Sequence, residues 1–72
     1  MKRLLKEYQF SSDMQYFEMI VTSVINGQRT QAKEQFNALP KDYKKDFIKA
    51  IYGEAWNSGL SQTDKELFLN EL

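Results

Sequence analysis

Signals that start and stop helices follow one another so closely along this chain that every helix it forms must be short. Ser11-Ser12-Asp13 is a cluster of N-cap residues, and Ser12 with Gln15 three positions on fits a capping box. Asn26-Gly27 is a stop, because glycine readily takes the left-handed conformation that ends a helix. Pro40 is another, since the residue before a proline is pushed out of the helical region. Asn57-Ser58-Gly59 is a third, and Ser61 with Asp64 three positions on opens a last helix. Connections of about two to four residues between short helices imply antiparallel neighbours. The expected fold is all-α, a small compact antiparallel bundle of three to four short helices. Residues 1–72 form a single helical domain in this reading, with residues 1–11 a flexible arm or a short helical turn.

The apolar residues supply one face to each helix. After Ser12 they recur at Met14, Phe17, Val21, Val24 and Ile25, with Tyr16 and Ile20 widening the stripe. Ala32, Phe36 and Leu39 make a narrow stripe on a helix from about residue 28 or 30 to Leu39. Tyr43, Phe47, Ala50 and Ile51 form a face on the helix that opens at Lys41-Asp42, and Ala55 extends it if that helix runs on to Asn57. Gly53 is either its end or a tolerated interior glycine. Leu67, Phe68, Leu69 and Leu72 line the last helix. With 42% apolar and 14% aromatic residues, the chain has enough large side chains to close a small core.

Several function classes are excluded or weakened by composition. The chain has no cysteine and no histidine, so a thiolate zinc site, a disulfide framework and the commonest general base are all missing. Met19-Ile20-Val21 is the longest apolar stretch, far short of a membrane span. Lys2 and Arg3 are followed by too few apolar residues for a signal peptide. The expectation is a soluble cytoplasmic protein without cofactor, metal or membrane. Ser11, Ser12 and Ser61 are explained as caps. Lys44 falls in the apolar sector of its helix, where its stem lies on the core and its ammonium reaches water. No phosphate-binding loop, dinucleotide fingerprint or calcium loop is present. The expectation is that the protein is not an enzyme.

Two binding readings remain. Ile48, Tyr52 and Trp56, spaced i, i+4, i+8, form a second apolar stripe about 100° from the first, and Met19 falls on the otherwise polar face of its own helix. Trp, Tyr, Met and Ile rimmed by Lys and Glu is the composition of a protein-binding surface. The expected function is a small non-enzymatic interaction module, of accessory, adaptor or inhibitor type, whose partner is another protein or a second copy of itself. The plain alternative for the stripe is core, covered by the last helix or the N-terminal segment. The alternative function is a nucleic-acid-binding accessory protein using Lys41, Lys44, Lys45 and Lys49. Against it stand a neutral chain, with ten basic and ten acidic residues, and Asp42 and Asp46 on the same helix. Lys45 and Lys49 each follow an aspartate by three residues and are placed to pair with it. Gly59-Leu60-Ser61-Gln62 resembles the phrase that opens a helix in helix-turn-helix repressors, over four residues only. It is read here as a C-cap glycine followed by an N-cap serine.

Overall fold

The computed structural model describes residues 1–53 and 56–72, and those residues are all-helical, with no strand among them. The described residues form five helices: α1 Lys2–Glu7, α2 Asp13–Ile25, α3 Arg29–Asn37, α4 Lys41–Tyr52 and α5 Gln62–Leu69. That is one more than the upper expectation of four. The addition is α1, which forms because Leu4, Leu5 and Phe10 pack against the core and give the first turns something to bury. The Cα radius of gyration is 11.2 Å, and a compact chain of this length should have about 11 Å. The molecule is fully collapsed.

The helix ends are set by local chemistry. At the start of α2 the backbone N–H of Gln15 donates to Ser12 Oγ (3.4 Å) and that of Ser12 donates to Gln15 Oε1 (3.1 Å). The capping box is complete. At the other end Gly27 takes φ +79. Its N–H donates to the Val24 carbonyl and that of Gln28 donates to the Ser23 carbonyl, the paired closure of a Schellman motif. Pro40 sits just before α4, where its missing N–H costs nothing. Ser61 Oγ accepts from the Asp64 N–H at 3.2 Å and starts α5. Between α1 and α2, Gln9 has φ +58 and the rings on either side of it, Tyr8 and Phe10, stack at 5.7 Å.

Three helices stop earlier than expected, α3 by two residues, at Asn37 rather than Leu39. The lysine-rich helix ends at Tyr52, because Gly53 leaves it in an extended conformation, φ −77 and ψ 160. A Cβ at Gly53 would lie 2.9 Å from the Lys49 carbonyl oxygen, so a side chain is excluded where the chain turns away. Asn57-Ser58-Gly59 is therefore part of a connection and caps no helix. Gly59 takes φ +78 there, Asn57 Oδ1 accepts from its N–H, and Ser58 Oγ accepts from the Leu60 N–H. Ala55 lies outside the described residues. Likewise α5 ends at Leu69 and Leu72 stands beyond it, exposed.

The core is built around phenylalanines drawn from four helices. Phe36 (α3), Phe47 (α4) and Phe68 (α5) form a triangle with ring centroids 5.0–5.7 Å apart. Phe17 (α2) meets Phe47 edge-on at 5.3 Å. Helix α2 packs against α3, α4 against α5, and α3 against α5. Met14 and Ile25 were assigned to the buried stripe of α2, yet Ile25 is 62% exposed and Met14 is exposed too. Both fall at the edge of the buried arc, about 100–120° from its centre on the helical wheel.

A polar seam joins α2 to α3 inside this core. Tyr16 is fully buried and its hydroxyl donates to the Gln35 carbonyl at 2.7 Å. Gln35 is only 6% exposed, and its side-chain amide pairs with the Ser23 hydroxyl at 2.9 Å. No enclosed side-chain nitrogen or oxygen of the described residues is left without a partner, as a well-formed interior requires. The surface adds one ion pair among the described residues, Arg29 Nη1 to Asp64 Oδ1 at 2.8 Å, tying the start of α3 to the start of α5. The Arg29 hydrogen bond holds the Asp64 carboxyl below the usual carboxylate range, against a smaller opposing effect of burial. Exposed pairs of this kind are worth about 0–1 kcal/mol.

Candidate interaction surface

The outward face of α4 gathers most of the residues that the sequence singles out. On a wheel of about 100° per residue, Ile48, Lys41, Tyr52, Lys45 and Lys49 fall in one arc of about 100°. Phe47 and Ile51, on the opposite side, are buried. Lys41, Lys45 and Lys49 are exposed and recur every four residues, which spaces them about 6 Å apart along the axis. Lys44 does not join them. It is half-buried on the core side, with Nζ 5.7 Å from the Phe36 ring centroid, so its stem lies along the core as its position suggests. The pairs expected between Lys45 or Lys49 and the aspartates three residues earlier are not formed. Among the described residues neither lysine has a carboxylate within 4.0 Å.

The apolar stripe divides. Ile48 is half-buried against the core, whereas Tyr52 is 37% exposed at the end of the helix. Trp56 lies past the end of α4, so the i, i+4, i+8 spacing does not run along one helix. It nevertheless stays in the same neighbourhood through Lys65 of α5. Lys65 Nζ stands 5.4 Å above the Tyr52 ring, within cation–π range. Lys65 also lines, with Trp56, Ile51 and Leu60, a cleft of about 350 Å³. Trp56 is half-buried there, with one side on the core. Met19 is half-buried on α2, and its carbonyl accepts from the Ser23 hydroxyl. Its side chain packs against the core.

A second cleft, of about 530 Å³, lies where the turn after α1 faces α3, and sequence reasoning missed it. Tyr8, Thr30, Gln31, Glu34, Gln35 and Ala38 line it. The signal for Gln35 was its place on the wheel, about 40° from Leu39 and beside the buried stripe of α3. Among the described residues no three metal-ligating side chains cluster, and no helix is long and apolar enough to cross a membrane. No family model matches the chain, and neither any curated protein nor any solved structure is significantly similar to it.

Proposed function

We propose that this is a cytoplasmic, non-enzymatic interaction module, an antiparallel bundle whose α4 face docks another protein, a second copy of the chain included. The observation that carries the reading is Tyr52: a large aromatic ring left 37% exposed at the end of a helix that buries Phe47 and Ile51. Ile48 one turn before it and Trp56 across Lys65 extend the apolar area, and Lys41, Lys45 and Lys49 rim it. Aromatic anchors inside a polar rim are the usual makeup of a binding hot spot.

Tyr52→Ala separates this reading from a purely structural one. It is expected to change monomer stability by less than about 1 kcal/mol, as substitutions at exposed positions do, and to abolish association. Sedimentation over a concentration series reads self-association. Affinity capture with mass spectrometry, comparing Tyr52→Ala with the unaltered chain, reads association with other proteins. A concentration-independent monomer whose Tyr52→Ala variant captures the same proteins as the parent would end the proposal.

A second reading, nucleic-acid binding, draws on the exposed lysine row. Asp42 and Asp46 on the same helix repel phosphates, and Lys44 is turned to the core. Only weak association with duplex or single strands at low salt is expected. Phosphate contacts release condensed counterions, so true binding must weaken as salt rises. Sub-micromolar, salt-sensitive binding that is lost in a Lys41/Lys45/Lys49→Glu variant would reverse the order of the two readings.

A further inference from the structure

Helices α1 and α2 end in the same closure, but only α2 has the residue that suits it. At the end of α1 the Gln9 N–H donates to the Lys6 carbonyl and the Phe10 N–H donates to the Leu5 carbonyl, the paired bonds of a Schellman motif. After α2 the left-handed position of that motif is held by Gly27. After α1 it falls to Gln9, at φ +58, and among the described residues no other non-glycine has a positive φ. A residue with a Cβ is crowded in this conformation, so the turn that lays α1 against the core is strained. Opening the turn lets Gln9 take an ordinary extended conformation.

The element held by this turn is loosely attached. Helix α1 has six residues and fully buries none of them, and a helix that short has no stability of its own in water. Met1, Leu4 and Leu5 are half-buried against the core. Tyr8 meets the Tyr16 ring edge-on at 5.6 Å and stacks on Phe10 at 5.7 Å. Among the described residues no ion pair ties residues 1–8 to the rest. Segments attached in this way open without unfolding the remainder. The seat they leave is apolar, since Tyr16 is fully buried in the closed form, and the segment shaped to refill it is another α1.

We infer that two copies of this chain exchange α1, residues 1–8 of each seated on α2 of the other, with Gln9 as the hinge. The swapped and closed forms share every contact outside the hinge, so hinge strain and protein concentration set the balance between them. A short hinge under strain favours exchange. The interface is separate from the α4 face and does not rest on the function proposed for that face.

The test is sedimentation of the full chain over a concentration series. A short connection holds α1 at an effective concentration in roughly the millimolar range, and dimer is expected as the protein approaches that range. In an equal mixture of 13C-labelled and unlabelled chains refolded together, the Tyr8–Tyr16 contact should appear between chains by isotope-filtered NMR. Gln9→Gly removes the crowding in the closed turn and should weaken dimerisation by about tenfold or more, because two hinges change at once. Gln9→Pro has no N–H for the Lys6 carbonyl and a φ fixed near about −65°. It forbids the closed turn and should strengthen dimerisation, with circular dichroism reporting that the other helices survive. Tyr52→Ala should leave this dimer unchanged, which separates it from association through α4. A parent chain that stays monomeric at millimolar concentration, a dimer that Gln9→Gly leaves equally tight, or a Tyr8–Tyr16 contact found only within one chain would each overturn the inference.

Discussion

Phe36→Ala is expected to lower stability by about 3–5 kcal/mol, the range found for a buried phenylalanine. Phe36 is fully buried on α3, and its ring lies 5.7 Å from that of Phe47 and 5.2 Å from that of Phe68. Removing it opens a cavity where three helices meet and breaks two aromatic contacts at once, each worth about 0.5–1.5 kcal/mol beyond area burial. It also takes away the ring along which the Lys44 stem lies. A single core of this size supplies only about 3–5 kcal/mol in total, so the variant should be largely unfolded at 25 °C. Urea melts followed by circular dichroism measure the loss directly. Phe36→Leu, which keeps most of the volume, should lose much less and stay folded. A loss under roughly 1 kcal/mol for Phe36→Ala would mean that α3 does not pack through this ring.

What the sequence revealed and what it hid divide along a physical line. The Ser12–Gln15 box, the Gly27 closure and the Ser61 cap are decided within a few residues, and each was readable from its neighbours. The end of α4 was not, although the deciding residue was in view. Whether Gly53 ends a helix or sits inside it depends on where the chain goes next, and the extended ψ at Gly53 records that choice. Trp56 was accordingly placed on a helix that had already ended. Helix α1 was ambiguous because a segment this short is held by what it packs on, and Leu4, Leu5 and Phe10 find their contacts only in the assembled core.

The polar seam was hidden for a related reason. Ser23 and Gln35 each look like surface residues within their own helices, and the bond between their side chains helps to make their burial bearable. Helical spacing reports which face a residue occupies but not what another helix brings to it. The same applies to the candidate surfaces. Ile48 and Tyr52 were legible as one stripe of a helix, whereas Lys44 was grouped with the exposed lysines although it turns to the core. The cleft at Tyr8, Glu34 and Gln35 was not legible, because it joins two segments that only the fold brings together.

Tyr16 sets the second large expectation, in which stability depends on pH. Its hydroxyl is the partner of the Gln35 carbonyl, one of the last-turn carbonyls that a helix leaves unpaired. The N–H of Leu39, four residues on, donates to Phe36 instead. Tyr16→Phe leaves that carbonyl unsatisfied and should cost about 1–3 kcal/mol near neutral pH. Burial, reinforced by Tyr8 and by the Glu7 charge, pushes the Tyr16 phenol from 10.0 up to about 12. The folded-state value lies above the unfolded one, so the neutral phenol contributes its full stability below pH of about 10. That contribution is lost as pH rises from about 10 through 12, because the unfolded chain gives up the proton first. A shift of this size corresponds to roughly 2–3 kcal/mol. The parent protein should therefore lose stability over that window, and Tyr16→Phe should lose less, since it has no proton there to release. Every other ionisable group is common to both proteins, so the difference between them isolates Tyr16 and the groups coupled to it. Urea melts of the pair at a series of pH values from neutral to 12 give that difference. A gap between parent and variant that stays constant across the series would show that the Tyr16 phenol is not held neutral by the fold.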